Sequence, residues 1–470
     1  MSPGTMGLAS GAAADERRIV IIGAGPTGLG AGYRLRELGY RNFLMLEAAD
    51  HVGGLAASEV SANGFTYDIG GHVLFSHYPY FDALFDRLMG DDYQELVREA
   101  WVWMEDRFLP YPFQNNLRYL SRETVLECVL GLIEAQKQPV DLSRFANFEE
   151  LIHGVFGAGI AKHFMLPYNF KVWAHPPCMM NREWIGERVA VVDVARVLTN
   201  VILDRDDAAW GPNSTFKYPR YGGTGGLFSR IEPFVRDHLR VNACVTHVDS
   251  ASREVVLSDG SREPYDMLLS TMPLDLLVSR LDEVPDAVRD AASLRHSGSY
   301  IVGVGVNRPA PSSKCWMYFP EDNTPYYRLT YLSNYSADVV PDRSRQHSLL
   351  AEISHSAMKP EDRATIAERT VQGMLNTRML EPSDVEQLAD LHVIEREYTY
   401  PLPSVGRDKT LRTVLPYLES CDIYSRGRFG AWRYEVGNMD HSVAQGVEWV
   451  NRVVCGEIED ELTYQGRRGC

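Results

Sequence analysis

The stretch RIVII, Arg18 to Ile22, is short, apolar and β-branched, the pattern of a strand buried on both faces. Apolar positions then recur with helical spacing at Leu29, Tyr33 and Leu35, and Gly39 stands where such a helix ends. A second apolar run, Phe43 to Leu46, predicts a second strand. Between 120 and 205 the spacing stays helical, most clearly in VLECVLGLIEAQ and VLTNVIL. Beyond that the period shortens. VNACVTHV, REVVLSDG and YDMLLSTMP predict short strands joined by turns such as Asp259-Gly260. From about 298 to 355 strands dominate, in SYIVGVGV, CWMYFP, YYRLTYLSNY and HSLLAEISH. An amphipathic helix follows Asn438-Met439-Asp440-His441-Ser442 near the end. No internal repeat or low-complexity segment interrupts the pattern.

The turn between the first strand and helix carries Gly23, Gly25 and Gly28 as GxGxxG, and Glu47 closes the second strand. Gly25 lets the backbone approach a pyrophosphate, the helix N-terminus supplies N–H groups, and Glu47 stands where a carboxylate takes ribose hydroxyls. Strand, glycines, helix, strand and acid in register predict a dinucleotide-binding α/β unit. GGLA, with Gly53, Gly54 and Leu55, and then YDIGGHVLFSHY, with Gly70, Gly71 and His72, follow within one short span. Glycine pairs shortly after the acidic strand resemble the flavoprotein pattern of the glutathione-reductase and amine-oxidase type, in which the chain continues along the flavin. That points to FAD.

At 470 residues the chain exceeds what one core serves, so two or three domains are expected. A net charge of −16 argues against nucleic-acid and anionic-membrane partners, which need a basic face. An anionic ligand would therefore need a local arginine cluster. No apolar stretch is long enough for a transmembrane helix. The N-terminal residues lack a signal-peptide pattern and read as a disordered leader of about 15 residues. Seven scattered cysteines without CxxC read as reduced thiols in a cytosolic protein, with no metal-ligand spacing.

Three further segments concentrate chemistry-bearing residues. HFMLPYNFKVWAHPP holds Asn169 and Trp173, GERVA holds Arg188, and Tyr327, Arg328, Tyr331 and Tyr335 crowd together. Taken alone, Trp173 reads as a core residue, Arg188 equally as a surface ion pair, and the tyrosines as sheet packing.

Taken together, GAGPTGLGA, GGLA, GFTYDIGGHVLFSHY, LPYPFQNN, PYNFKVWA, WIGERVA, TNVIL, WGPNSTF, GGTGG, KCWMYFPEDN, YYRLTYLSNYS and RGRFGAWRYEVGNMDHS resemble the eukaryotic-type branch of the UDP-galactopyranose mutases. The resemblance runs from about residue 17 to 451. It implies an isomerase of galactofuranose biosynthesis that interconverts UDP-galactopyranose and UDP-galactofuranose. There the N5 atom of reduced FAD attacks the anomeric carbon, with NADPH or NADH as reductant. It implies a cytoplasmic protein and leaves homo-oligomerisation open. The architecture it implies is α/β: a Rossmann-like FAD-binding domain (17–97, 205–295 and 416–455), a helical domain (119–204) and an antiparallel sheet substrate domain (98–118 and 296–415).

Residue by residue, the resemblance puts His72 beside the flavin, its charge tuning the ring, and Arg188 and Arg328 on the two phosphates of UDP. Tyr335, Tyr400 and Tyr434 go to the pyrophosphate region and Asn213 to the sugar. Tyr111, Phe113, Gln114, Asn169, Trp316 and Tyr318 go to the uridine, with Arg98, Phe75 and Trp173 as further wall. Gly23, Gly25, Gly28, Glu47, Gly53, Gly54, Leu55, Gly70, Gly71, Val245, Arg428, Gly430, Asn438, Met439 and Ser442 go to FAD. The chain departs from the family pattern at Leu166, at Met439, at His175-Pro176 and in a short segment between Ser336 and His347. The same chemistry on another UDP-sugar is the alternative, followed by an FAD amine oxidase or desaturase and by a non-enzymatic nucleotide sensor.

Overall fold

The computed structural model describes residues 17–137, 141–185, 192–207 and 214–460. The expected leader, Arg188 and Asn213 lie outside the described residues. Strand β1 (Ile19–Ile22) is buried throughout and pairs in parallel with β2 (Phe43–Leu46) on one side and with Met267–Ser270 on the other. Leu239–Arg240 and Ile423–Ser425 extend this into a five-stranded parallel sheet. Three separate stretches of chain thus build one nucleotide-type sheet.

Helix α1 (Pro26–Glu37) lies on one face, with Pro26 at its start. It crosses the C-terminal helix Met439–Val450 at backbone contact: a Cβ on Gly446 would stand 2.1 Å from the Thr27 carbonyl oxygen. On the other face, Leu411, Val414 and Leu418 of the helix Arg407–Ser420 join Val20 and Leu268 in one apolar cluster. That helix therefore packs on the parallel sheet, although its first residues fall within the expected antiparallel sheet domain (296–415).

The helices Arg122–Ala135, Phe148–Ile160, Leu166–Trp173 and Val194–Ile202 enclose their own core around Leu132, Ile152, Phe156 and Phe164. The third body is a seven-stranded sheet. Its order is Leu388–Pro401, His296–Val306, His347–His355, Arg328–Tyr331, Trp316–Tyr318, Ala100–Met104, Arg107–Pro110. It is antiparallel except that Trp316–Tyr318 runs parallel to Ala100–Met104, because those two strands come from opposite ends of the chain segment that the helical body separates.

One buried carboxylate ties three further segments together. Asp68 has no exposed surface and accepts from Ser58 Oγ (2.6 Å), Tyr218 OH (2.7 Å), and the Thr224 N–H and Oγ1 (2.9 and 2.8 Å). Its partners come from Ser58–Val60, from Thr215–Pro219 and from the GGTGG loop. A carboxylate in a dry site is tolerated only when its lone pairs are filled this way. Asp68→Ala leaves those donors unpaired, so urea denaturation should show a loss of about 3 kcal/mol. A loss under about 1 kcal/mol would mean the junction does not depend on the carboxylate.

Candidate active site

A cavity of about 750 Å³ opens between the parallel sheet, the GGH segment and the last helix. That volume suits a nucleotide-sized ligand. Gly23, Gly25, Glu47, Gly54, Leu55, Gly70, Gly71, His72, Phe75, Val245, Arg328, Tyr400, Arg428, Tyr434, Asn438, Met439 and Ser442 all line it. Gly28, Gly53 and Gly430 do not, but each supports the wall. A Cβ on Gly28 would meet the Gly23 carbonyl oxygen at 1.9 Å, so the α1 backbone packs directly on the loop. The Gly53 N–H donates to the Ala24 carbonyl at 2.8 Å, and Gly430 rests on Ser270.

The dinucleotide end is built by backbone. Gly25 and Gly54 face each other, and a Cβ on Gly54 would come within 3.1 Å of the Gly25 Cα, so only two glycines leave the gap open. The Glu47 carboxylate accepts from the Ala24 N–H (2.6 Å) and the Ala49 N–H (2.9 Å), which fixes it at the rim with further lone pairs available. At the far end, Asn438, Met439 and Ser442 open the twelve-residue helix whose positive dipole end faces the cavity. Arg428 stands beside it, donating to the Thr399 and Gly437 carbonyls at 3.0 and 3.1 Å, with its guanidinium over the rings of Tyr400 and Tyr434 at 5.1 and 5.2 Å. This donor set fits FAD, from pyrophosphate cradle and ribose acid to a cationic, dipole-tipped far end.

His72 lies between the two ends with its Nδ1 buried and without a hydrogen-bond partner, an atom placed to meet a ligand in the cavity. Burial holds the imidazole below its usual range, and Arg328 and Arg428 add to this while Asp68 and Glu352 oppose it. The charge expected on His72 is therefore absent at neutral pH in the cofactor-free cavity. An anion seated beside it would draw the proton back.

Arg328 is bound by Glu352, a residue the motifs did not mark. Its Nε and Nη2 both donate to the carboxylate, the latter at 2.7 Å, and Nη2 also reaches the Gly71 carbonyl at 3.1 Å. Tyr327, which the sequence marks only as one of several crowded residues of a sheet, donates to Glu352 Oε2 at 3.0 Å and shares a 3.1 Å hydrogen bond with the Tyr400 hydroxyl. Burial pushes Tyr400 up to about 12, against the pull of Arg328, so it is a neutral donor at pH 7.

The expected uridine wall forms a separate aromatic array beyond Arg328. Tyr111 and Tyr318 approach at 5.0 Å, Tyr168 meets Tyr318 edge-on at 5.4 Å, and the Trp316 indole donates to the Tyr318 hydroxyl at 2.7 Å. The charge of Arg98 reaches both Tyr111 and Tyr318. Phe113 is fully buried and stacks on Phe164 at 4.5 Å. Gln114 is buried too, and the Asn169 amide donates to the Met165 carbonyl at 2.7 Å. Tyr335 is buried edge-on against Phe216 and Tyr218, and Trp173 against Trp184, Tyr400 and Tyr434. Trp173 thus backs the cavity's tyrosines from the core side.

Phe75 meets His77 edge-on at 5.4 Å. His77 Nδ1 in turn bonds Asp440 at 2.8 Å, and His441 Nδ1 bonds the same carboxylate at 3.1 Å, which holds Asp440 well below the usual carboxylate range despite its burial. This set pins the FSHY segment to the last helix.

A family model for NAD(P)-binding Rossmann-like domains matches residues 21–88. Among curated proteins, polyamine oxidase 7 of Oryza sativa subsp. japonica is 57% identical over 37 residues, 8% of either chain. Protoporphyrinogen oxidase 2 of Arabidopsis thaliana is 36% identical over 125 residues, 25% of this chain and 21% of that protein. The chain therefore spans only a small part of these curated relatives. Among solved structures, cyclohexylamine oxidase from Brevibacterium oxydans IH-35A superposes with a TM-score of 0.64 at 15% identity, over 94% of this chain and 99% of its own. That likeness shows the fold.

A reduced UDP-galactopyranose mutase superposes with a TM-score of 0.92 at 42% identity, over 96% of this chain and 98% of its own.

Because folding depresses the His72 pKa, the unfolded chain binds the proton first as pH falls below about 6.5, and that part of the stability is lost there. Urea denaturation of the cofactor-free protein should show His72→Gln losing less stability than the parent between pH 7 and about 5. Equal slopes would contradict the buried neutral imidazole.

With the match spanning nearly the whole of both chains, and the dinucleotide cradle and flavin-facing wall both present, this chain belongs to the UDP-galactopyranose mutase family.

Proposed function

We propose that the protein is a reduced-FAD-dependent isomerase that interconverts UDP-galactopyranose and UDP-galactofuranose, with NADPH or NADH supplying the electrons that keep its flavin reduced. Membership of the mutase family supports the reaction, and one geometric observation carries its assignment to this cavity. Arg328 stands where the nucleotide-type cavity meets the aromatic array, and its charge acts on Tyr318 and Tyr168 on one side and on Tyr400 and His72 on the other. A diphosphate bridging a uracil in the array and a sugar in the cavity would pass this guanidinium.

When bound, reduced FAD supplies the nucleophile that takes the place of UDP on the anomeric carbon. The protein's own residues do the rest. Gly25, Gly54 and the start of α1 hold the cofactor pyrophosphate, and Glu47 its ribose. Arg328 offsets charge on the departing diphosphate, a role the family resemblance extends to Arg188, so that bond breaking is assisted where charge develops. Tyr400 and Tyr434 offer hydroxyls to the same oxygens, with Arg428 above their rings. Tyr111, Tyr318 and Trp316 give the uracil flat faces, with Gln114 and Asn169 for its polar edge. The buried walls exclude water, which would otherwise capture the activated sugar.

The reaction has no net redox change yet needs a reduced flavin, and this is the feature to test. UDP-galactofuranose incubated with dithionite-reduced protein should give UDP-galactopyranose on anion-exchange chromatography, while oxidised protein should give none. Conversion that ignores the flavin redox state would overturn the reading. Arg328→Ala should lower kcat/KM by about 2–4 kcal/mol, roughly 30- to 1,000-fold. A change under about threefold would remove Arg328 from the diphosphate site.

A further inference from the structure

The charges around the cavity converge on Glu352, which belongs to no motif in the sequence. It lies in the strand His347–His355 with its side chain 4% exposed. Both oxygens are committed: Oε1 to Arg328 Nε, and Oε2 to Arg328 Nη2 (2.7 Å) and the Tyr327 hydroxyl (3.0 Å). The close approach of the GGH backbone makes room for this arrangement. A Cβ on Gly71 would come within 3.0 Å of Oε1, and one on Gly70 within 3.2 Å of Oε2. Burial alone would protonate such a group, but Arg328 and the Tyr327 hydroxyl hold it below the usual carboxylate range. It is an anion at neutral pH, set against the same guanidinium a diphosphate would meet.

We propose that Glu352 is a resident counter-ion that competes with the diphosphate of a bound UDP-sugar for Arg328, and so sets how tightly the nucleotide is held. The inference rests on the UDP-sugar reading of this cavity. A buried cation that already has a partner gains less from a ligand anion than one left uncompensated, and a fixed carboxylate beside the diphosphate repels it. Nη2 is further occupied by the Gly71 carbonyl, so Nη1 is the face of Arg328 left for the ligand among the described contacts. The competitor cannot swing aside, because Tyr327 fixes Oε2 and is itself bound to Tyr400 at 3.1 Å. Such restraint suits a reaction in which UDP must leave the sugar, return to it, and depart with the product. Holding nucleotide uniformly tighter would lower KM without speeding the chemistry.

The test is calorimetric titration of UDP into the FAD-loaded protein and its variants. Glu352→Gln, which keeps the size and removes the charge, should tighten UDP binding roughly tenfold. KM and kcat should both fall as product release slows. Damage to packing would weaken binding, so the direction separates competition from a structural role. Tyr327→Phe keeps the carboxylate charge and returns Oε2 wholly to Arg328. It should weaken UDP binding severalfold with its urea midpoint and FAD affinity unchanged, which sets the effect apart from packing damage and keeps the proposal testable even if Glu352→Gln folds poorly. UDP affinity unchanged or lower in Glu352→Gln, with Arg328→Ala weakened, overturns the competition alone. An Arg328→Ala protein that binds UDP like the parent overturns the UDP reading as well.

Discussion

Asp68 is the constraint on which the site depends. A carboxylate with no exposed surface and no ionic partner among the described residues is tenable because four donors, from Ser58, Tyr218 and Thr224, converge on it. Two residues later the chain turns through Gly70 with φ at 97°, and Gly71 and His72 are delivered into the cavity wall. The Ser58–Val60 strand, the Thr215–Pro219 strand and the GGTGG loop can meet only in the register those hydrogen bonds allow. The position of His72 is thus set by a salt-free anion beneath it, and its protonation partly by the same anion.

Above that junction the cavity balances its charges internally. Arg328 is answered by Glu352, Asp440 by two imidazoles, and Arg428 by carbonyls and tyrosine faces. His72 is neutral and Tyr400 keeps its proton, and the other two arginines of the wall are answered locally as well, Arg280 by the Val245 carbonyl and Arg396 by Glu59. This matters in a chain of net charge −16, whose overall field disfavours an anionic nucleotide sugar. Affinity must come from short-range contacts such as those to Arg328, because distant surface charge is screened by salt.

Much of this was legible in the sequence, for physical reasons that vary with the element. The strand at Ile19–Ile22 and the glycines after it are local signals, since burial on both faces and the close approach of Gly28 to Gly23 are written within ten residues. Arg328, Tyr400 and Arg428 were reachable through the resemblance of their motifs, and the cavity gathers them. Glu352 was not, nor was the role of Tyr327, because both roles exist only across strands. Glu352 sits in an apolar run, HSLLAEISH, where alternation predicts a sheet residue, and its partner is on the neighbouring strand. The same holds for Asp68, whose partners are separated from it by up to 156 positions, and for the parallel pairing of Trp316–Tyr318 with Ala100–Met104. No local pattern reports which strands will be neighbours. The charge on His72 failed for a related reason, since motif position says where an imidazole stands but not how dry its surroundings are.

In the proposed function a nucleotide diphosphate and a flavin occupy one continuous cavity joined at Arg328. Titrating UDP into the FAD-loaded protein while recording the flavin absorption bands tests it directly. The account predicts a saturable spectral shift whose midpoint matches the calorimetric UDP affinity, because the diphosphate alters the field that Arg328 and Glu352 set around the ring. UDP binding by calorimetry with no change in the flavin bands would put the nucleotide elsewhere on the protein and contradict the account.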